Sequence, residues 1–156
     1  MSTARLLDAL RPVLDHLNAM DISDPDAVRC SLNEAFPPGS PVVSELRELF
    51  GTGVAEGWLC DREAGGARFS RVAGSTGGTH DFSVDAVSLA GPGVWHRHTA
   101  GEIDLCFAAE GDPRFDGHPE GWVVFGPGSD HVPTVTGGRM EILYLLPGGA
   151  IEWKRG

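Results

Sequence analysis

Apolar residues recur every three or four positions from about residue 3 to residue 53, and every second position from Trp58 onward. The change of period predicts a helical stretch followed by a β-rich one. Leu6, Leu7, Leu10, Val13, Leu14 and Leu17 mark the apolar face of a first helix. Pro12 sits inside that pattern, where the missing N–H predicts a kink or a break. Ser23-Asp24-Pro25 is a helix start, a capping side chain followed by proline in the first turn, and the helix it opens runs to about Phe36. Pro37-Pro38-Gly39-Ser40-Pro41 interrupts, and residues 43–50 form a third helix with Gly51 and Gly53 as stop signals.

Beyond this stretch lie nine short apolar or alternating runs separated by glycine-rich turns: residues 57–61, 67–72, 82–89, 94–98, 102–107, 121–125, 131–135, 140–146 and 151–153. Many short strands of this kind predict an antiparallel sandwich or barrel. The boundary falls near residues 54–57, giving a helical segment (1–54) packed on a barrel (55–156). The helical part is too small to form a domain of its own.

With 156 residues, a single domain has enough chain to bury a real core. Twelve basic against 22 acidic residues leave a net charge of −10, which argues against nucleic acid and anionic membrane surfaces as partners. An anionic substrate therefore needs a local arginine. Cys30, Cys60 and Cys106 are odd in number and lack zinc-knuckle spacing, so reduced thiols in a cytoplasmic protein are expected. No run approaches membrane-span length, and the N-terminus leads into an amphipathic segment, not a signal core. Sheet edges or helices left to cover predict a homodimer.

The candidate chemistry sits in Gly93-Val-Trp-His-Arg-His-Thr-Ala-Gly-Glu102. Residues i and i+2 of a strand share a face, so His96 and His98 can converge while Arg97 points away. Thr99-Ala100-Gly101 can turn the chain and return Glu102 on a neighbouring strand. His131, in Gly126-Pro-Gly-Ser-Asp-His131, is a fourth candidate. Three imidazoles and one carboxylate suit one divalent ion of Fe, Mn, Zn, Ni or Co and leave positions open for substrate. Asp104 shares the face of Glu102 and can orient a ligand or act as a base; the plainer alternative is a solvated acid on a barrel rim. Arg114 can grip a substrate carboxylate bidentately or form a surface ion pair. Trp122 can stack on an aromatic ring or pack in the core. Tyr144 falls on the apolar stripe of Met140, Ile142 and Leu146, from which its phenol can reach a cavity as a donor. Arg68 and Arg71, three apart, face opposite sides of one strand, so at most one lines a cavity. Cys106 reads as a small buried hydrophobe.

The His-x-His-x-x-x-Glu run followed by Gly128-Ser-Asp-His131 resembles the two cupin motifs. The ligand positions match. The scaffold drifts: Gly91 and Gly121 are each one place off, Gly111 lies beyond its usual place, Gly126 stands for a proline and Val135 for an asparagine. The segments Pro92 to Phe107, Arg114 to Trp122, Ser129 to Val135 and Ile142 to Glu152 resemble more narrowly the 4-hydroxylaminobenzoate lyase family, small cupin-like proteins of bacterial nitroaromatic degradation. The resemblance implies a cupin-type antiparallel β-barrel (jelly roll) with an N-terminal helical segment. It also implies conversion of a small aromatic carboxylate, 4-hydroxylaminobenzoate, to 3,4-dihydroxybenzoate with release of ammonia. On that reading His96, His98, Glu102 and His131 hold the metal, Glu102 and Asp104 move protons, and Arg114, Trp122 and Tyr144 bind substrate. Two alternatives stay open: a cupin dioxygenase or isomerase on a small aromatic or keto acid, and a non-catalytic carboxylate-binding cupin.

Overall fold

The computed structural model describes residues 2–64 and 66–153. Helices α1 (Thr3–Asn18), α2 (Pro25–Ala35) and α3 (Pro41–Glu56) come first. Eight strands follow among the described residues: β1 (Arg62–Ala64), β2 (Ala67–Ala73), β3 (Phe82–Pro92), β4 (His96–His98), β5 (Glu102–Phe115), β6 (Gly121–Phe125), β7 (Ser129–His131) and β8 (Thr134–Pro147).

Helix α1 continues through Pro12, so the expected break does not form. Leu10 and Val13, on either side of the proline, are fully buried. Burying such side chains is worth about 1.5–3 kcal/mol each, enough to offset an interior proline. At the start of α2, Asp24 accepts hydrogen bonds from the N–H groups of Asp26 and Ala27, which supplies two of the donors a helix N-terminus leaves open. Helix α3 runs past both expected stops and ends at Gly57, in the left-handed conformation (φ 84°). Gly53 is inside the helix because the chain folds back on it. The N–H groups of Gly57, Trp58 and Leu59 all bond the Gly53 carbonyl, and a Cβ at Gly53 would lie 2.6 Å from Leu59 Cγ. This capping turn occupies residues 57–61, where a strand was expected.

Six strands pair antiparallel in the order β1-β2-β3-β8-β5-β6, and β4 and β7 form a separate two-stranded ribbon. The fold is thus mainly antiparallel β with three helices, the class that the alternating runs predict. The run at 131–135 is shared between β7 and β8, and residues 151–153 carry one bridge, Glu152 to Arg97.

Alternation along β8 assigns its two faces. Leu143 and Leu145 join the core made with Leu10, Leu14, Leu46 and Phe50 of the helices. Met140, Ile142 and Tyr144 join a second cluster with Phe115 and Val135. The sheet therefore carries the helices on one face and the ribbon, with its histidines, on the other. No helix among the described residues is long and apolar enough to cross a membrane.

Candidate metal centre and its cavity

The ribbon sets His96 directly opposite His131 and His98 opposite Ser129. Gly101, at φ +100°, turns the chain between β4 and β5, and Glu102 begins β5 opposite Phe125 of β6. The ligand atoms of His96, His98, Glu102 and His131 all lie within 4.8 Å of one another. The His96, His98 and Glu102 side chains are 1% exposed or less, and that of His131 is 12% exposed.

The outer nitrogens of the three imidazoles are each occupied. His96 Nδ1 faces the Val94 carbonyl at 3.3 Å. His98 Nδ1 faces Ser129 Oγ at 2.8 Å; that hydroxyl donates to the Gly126 carbonyl and so accepts from the ring. His131 Nδ1 bonds the carboxylate of Asp116. An acceptor at every Nδ1 places the ring proton there and turns three Nε2 lone pairs inward. Two of them, on His96 and His131, stand only 3.1 Å apart, a repulsive arrangement unless a positive centre lies between. His98 Nε2 and Glu102 Oε2 are buried with no hydrogen-bond partner. Glu102 Oε1 lies 3.1 Å from His96 Nε2 and 3.4 Å from His98 Nε2. Donors bound to one ion at about 2.1 Å, with angles near 90°, stand about 3 Å apart. The donor set, its spacing and its orphaned atoms fit a divalent ion.

Burial pushes the Glu102 carboxyl up, but the neighbouring His96, His98 and Asp104 side chains outweigh it and hold Glu102 well below the usual carboxylate range. Asp104 behaves oppositely. Burial, reinforced by the negative charge of Glu102, raises it well above the usual range. It is 0% exposed, which removes the reading of a solvated rim acid. Burial also raises the Tyr144 phenol, with Glu102 and Asp104 adding to the effect.

A cavity of about 880 Å³ opens beside this cluster, with His96 and Tyr144 among its walls. Trp153 also lines it and meets the His96 ring edge-on at 5.4 Å. A row of register partners runs across the sheet from Asp104 to Tyr144, then Asp85, then Arg71. Three of the four, Tyr144, Asp85 and Arg71, line the cavity.

The chain matches the family model described as PnbB: 4-hydroxylaminobenzoate lyase over residues 9–153. It belongs to the 4-hydroxylaminobenzoate lyase family. Relatives with that name include one from Nocardioides sp. (strain LMS-CY), 32% identical across 98% of this chain and 96% of its own length. Another, from Pseudomonas putida, is 29% identical across 78% and 80%. Among solved structures, the DMSP lyases RdDddP and RnDddQII give a TM-score of 0.49 at 16% identity, covering 98% of this chain and 97% of theirs. A cupin 2 domain-containing protein from Halorhodospira halophila gives 0.38 at 15% identity, covering 61% and 70%. Membership in the 4-hydroxylaminobenzoate lyase family makes this protein a lyase.

In this lyase the four expected ligand positions come together, and Tyr144 reaches the cavity. Two other expected site residues do not. Trp122 is buried on the helix side, where its indole N–H donates to the Phe36 carbonyl at 2.9 Å. Arg114 is exposed. It precedes Phe115, whose ring lies 6.0 Å from that of His131, so the arginine projects from the opposite face. Between the two arginines of β2, Arg71 lines the cavity, while Arg68 donates to the Cys60 carbonyl on the other side. Sequence reasoning missed Asp116 and Ser129, the partners of the outer histidine nitrogens. Asp116 carried a signal: it precedes Gly117 at a turn and adopts a left-handed φ of 48°.

Proposed function

We propose that the protein is a metal-dependent lyase that converts 4-hydroxylaminobenzoate to 3,4-dihydroxybenzoate and ammonia. Overall, one water is added and ammonia leaves, with no net change of oxidation state and no dioxygen consumed. The observation that carries the metal-dependent reading is the inward set of three Nε2 lone pairs and one carboxylate, each imidazole fixed by an acceptor behind it. The name of the family and of its relatives supports the substrate.

His96, His98, Glu102 and His131 would hold the ion. When bound, it supplies Lewis acidity toward the hydroxylamine oxygen and a lowered pKa for water. The protein's own groups do the rest. Tyr144 presents its phenol from the cavity wall, with ring centroid 6.3 Å from that of His96. It is placed to donate to the N–OH group. Asp104, buried beside Glu102 with both oxygens free of hydrogen-bond partners, can hold or release a proton at the site. Trp153 flanks the same end with an indole face for the substrate ring.

The test is an anaerobic assay on protein of known metal content, following ammonia and 3,4-dihydroxybenzoate together. Equimolar release is expected. His98→Ala should abolish it and lower the bound metal. Well-folded, metal-loaded protein that yields neither product would rule out this reaction.

A further inference from the structure

With Arg114 outside the cavity, the anionic end of the proposed substrate needs another partner. Among the described residues, Arg62 and Arg71 are the arginines that line the cavity. They come from different strands but share one face. Arg62 of β1 is the register partner of Phe69 in β2, and Arg71 lies two residues further along β2. The pair is thus a diagonal neighbour pair, about 7–8 Å apart at the backbone, close enough for two long side chains to bracket one small anion.

Their existing contacts leave them available. Arg71 gives Nε and one terminal amino group to Asp85, at 2.9 and 3.4 Å. Its other terminal amino group has no partner among the described residues. Asp85 thereby fixes the plane of the guanidinium without using its whole fork. Arg62 is exposed and has no hydrogen-bond or ion-pair partner among the described residues. Asp61 also lines the cavity, but it pairs with neither arginine.

The spacing from the metal cluster fits a rigid two-ended ligand. From Arg71 to Tyr144 the row crosses two strand intervals, β2 to β3 to β8, or roughly 10 Å between backbones. Tyr144 and His96 mark one end of the cavity wall and the arginines the other. Asp85 stands between Arg71 and Tyr144 in that row, held by Arg71, and Phe69, Val87 and Leu89 supply apolar surface alongside it. A para-disubstituted benzene carries its two groups at opposite ends of a flat apolar body.

We propose that Arg62 and Arg71 form the carboxylate grip of the cavity and select aryl hydroxylamines that carry a carboxylate opposite the reacting nitrogen. Which end reacts rests on the lyase reading above; the grip itself is a matter of binding.

The experiment uses calorimetric titration with two unreactive probes, 4-aminobenzoate and aniline, which differ by the carboxylate alone. The wild-type protein should bind 4-aminobenzoate at least about tenfold more tightly, as expected for charge-assisted bonds to a partly enclosed anion. The Arg62→Met, Arg71→Met double variant keeps most of both side-chain stems. It should lose that preference while its aniline affinity stays the same. Lysine at both positions should restore part of it. A preference that survives in the double variant, or one absent from the wild type, would overturn the proposal. Because neither probe reacts, failed turnover leaves this result intact. Active turnover with arginine-independent binding would sink the grip and leave the lyase standing.

Discussion

At the scale of single residues, the candidate site depends on side chains set behind its proposed ligands. Asp116 accepts from His131 through one carboxylate oxygen and from the Thr134 N–H, at 2.9 Å, through the other. Asp116→Ala removes both acceptors and frees the His131 ring to rotate or change tautomer. Metal affinity should fall about 10- to 100-fold, read by competition with a fluorescent chelator, while the circular dichroism spectrum is retained. Unchanged affinity would show that the ribbon alone orients His131. The clustering of the candidate ligands His96 and His98 was legible in the sequence because strand alternation is a strict rule and both obey it. Asp116 was not, since the pairing that brings it to His131 spans fifteen residues and two strand changes. Arg114 and Trp122 misled for separate reasons. For Arg114, the face of a long strand after an irregular register can only be read from the fold, and β5 shifts register between Gly111 and Arg114. Trp122, in the short and regular β6 opposite Leu105, suggested a role by residue type, while its side was set by the helices packed there.

At the scale of elements, α3 holds two glycines that look alike in sequence and differ in structure. A Cβ at Gly51 would meet nothing within 4 Å, whereas one at Gly53 would strike Leu59. Gly51→Ala should stabilise the protein by up to about 1 kcal/mol through helix propensity. Gly53→Ala should destabilise it, because the buried Leu59 side chain cannot move without disturbing the turn. Urea denaturation of the two variants decides the matter, and a gain at both positions would mean the turn after α3 yields freely. This contrast also explains the misplaced helix end. Glycine signals a stop only where the backbone needs a positive φ, and in this segment Gly57 alone meets that need. The helices and the long strands were otherwise legible from period, since each buries one continuous face.

At the scale of the whole molecule, burial divides three thiols into two kinds. Cys30 is exposed, and Cys60 and Cys106 are buried. Burial pushes the Cys60 thiol up to about 12, with Glu141 adding to it, and raises Cys106 as well. Native protein should therefore react with Ellman's reagent at one thiol, and unfolded protein at three; more than one fast thiol in the native state would contradict the closed core. The same burial makes a pH prediction. Folded Cys60 keeps its proton between its ordinary value of 9.0 and about 12, while the unfolded chain releases it. Stability from this group is therefore complete below pH 9 and declines above it, by at most about 1.4 kcal/mol per pH unit. Cys60→Ala should flatten that part of the urea midpoint against pH.

The division of β8 into two faces also limits how the family can diverge. Odd-numbered Leu143 and Leu145 support the helices, and even-numbered Tyr144 and Leu146 line the cavity, with Ile142 packed on the same face. Stability and specificity are thus interleaved along one strand yet separately adjustable. Substitutions at even positions can retune the pocket for a new ligand without loosening the scaffold. A single inserted residue could not, because it would exchange the two sets at once and put leucines where the phenol now stands. New activities in this lineage should arise along β8 by replacement and at its ends by changes of length.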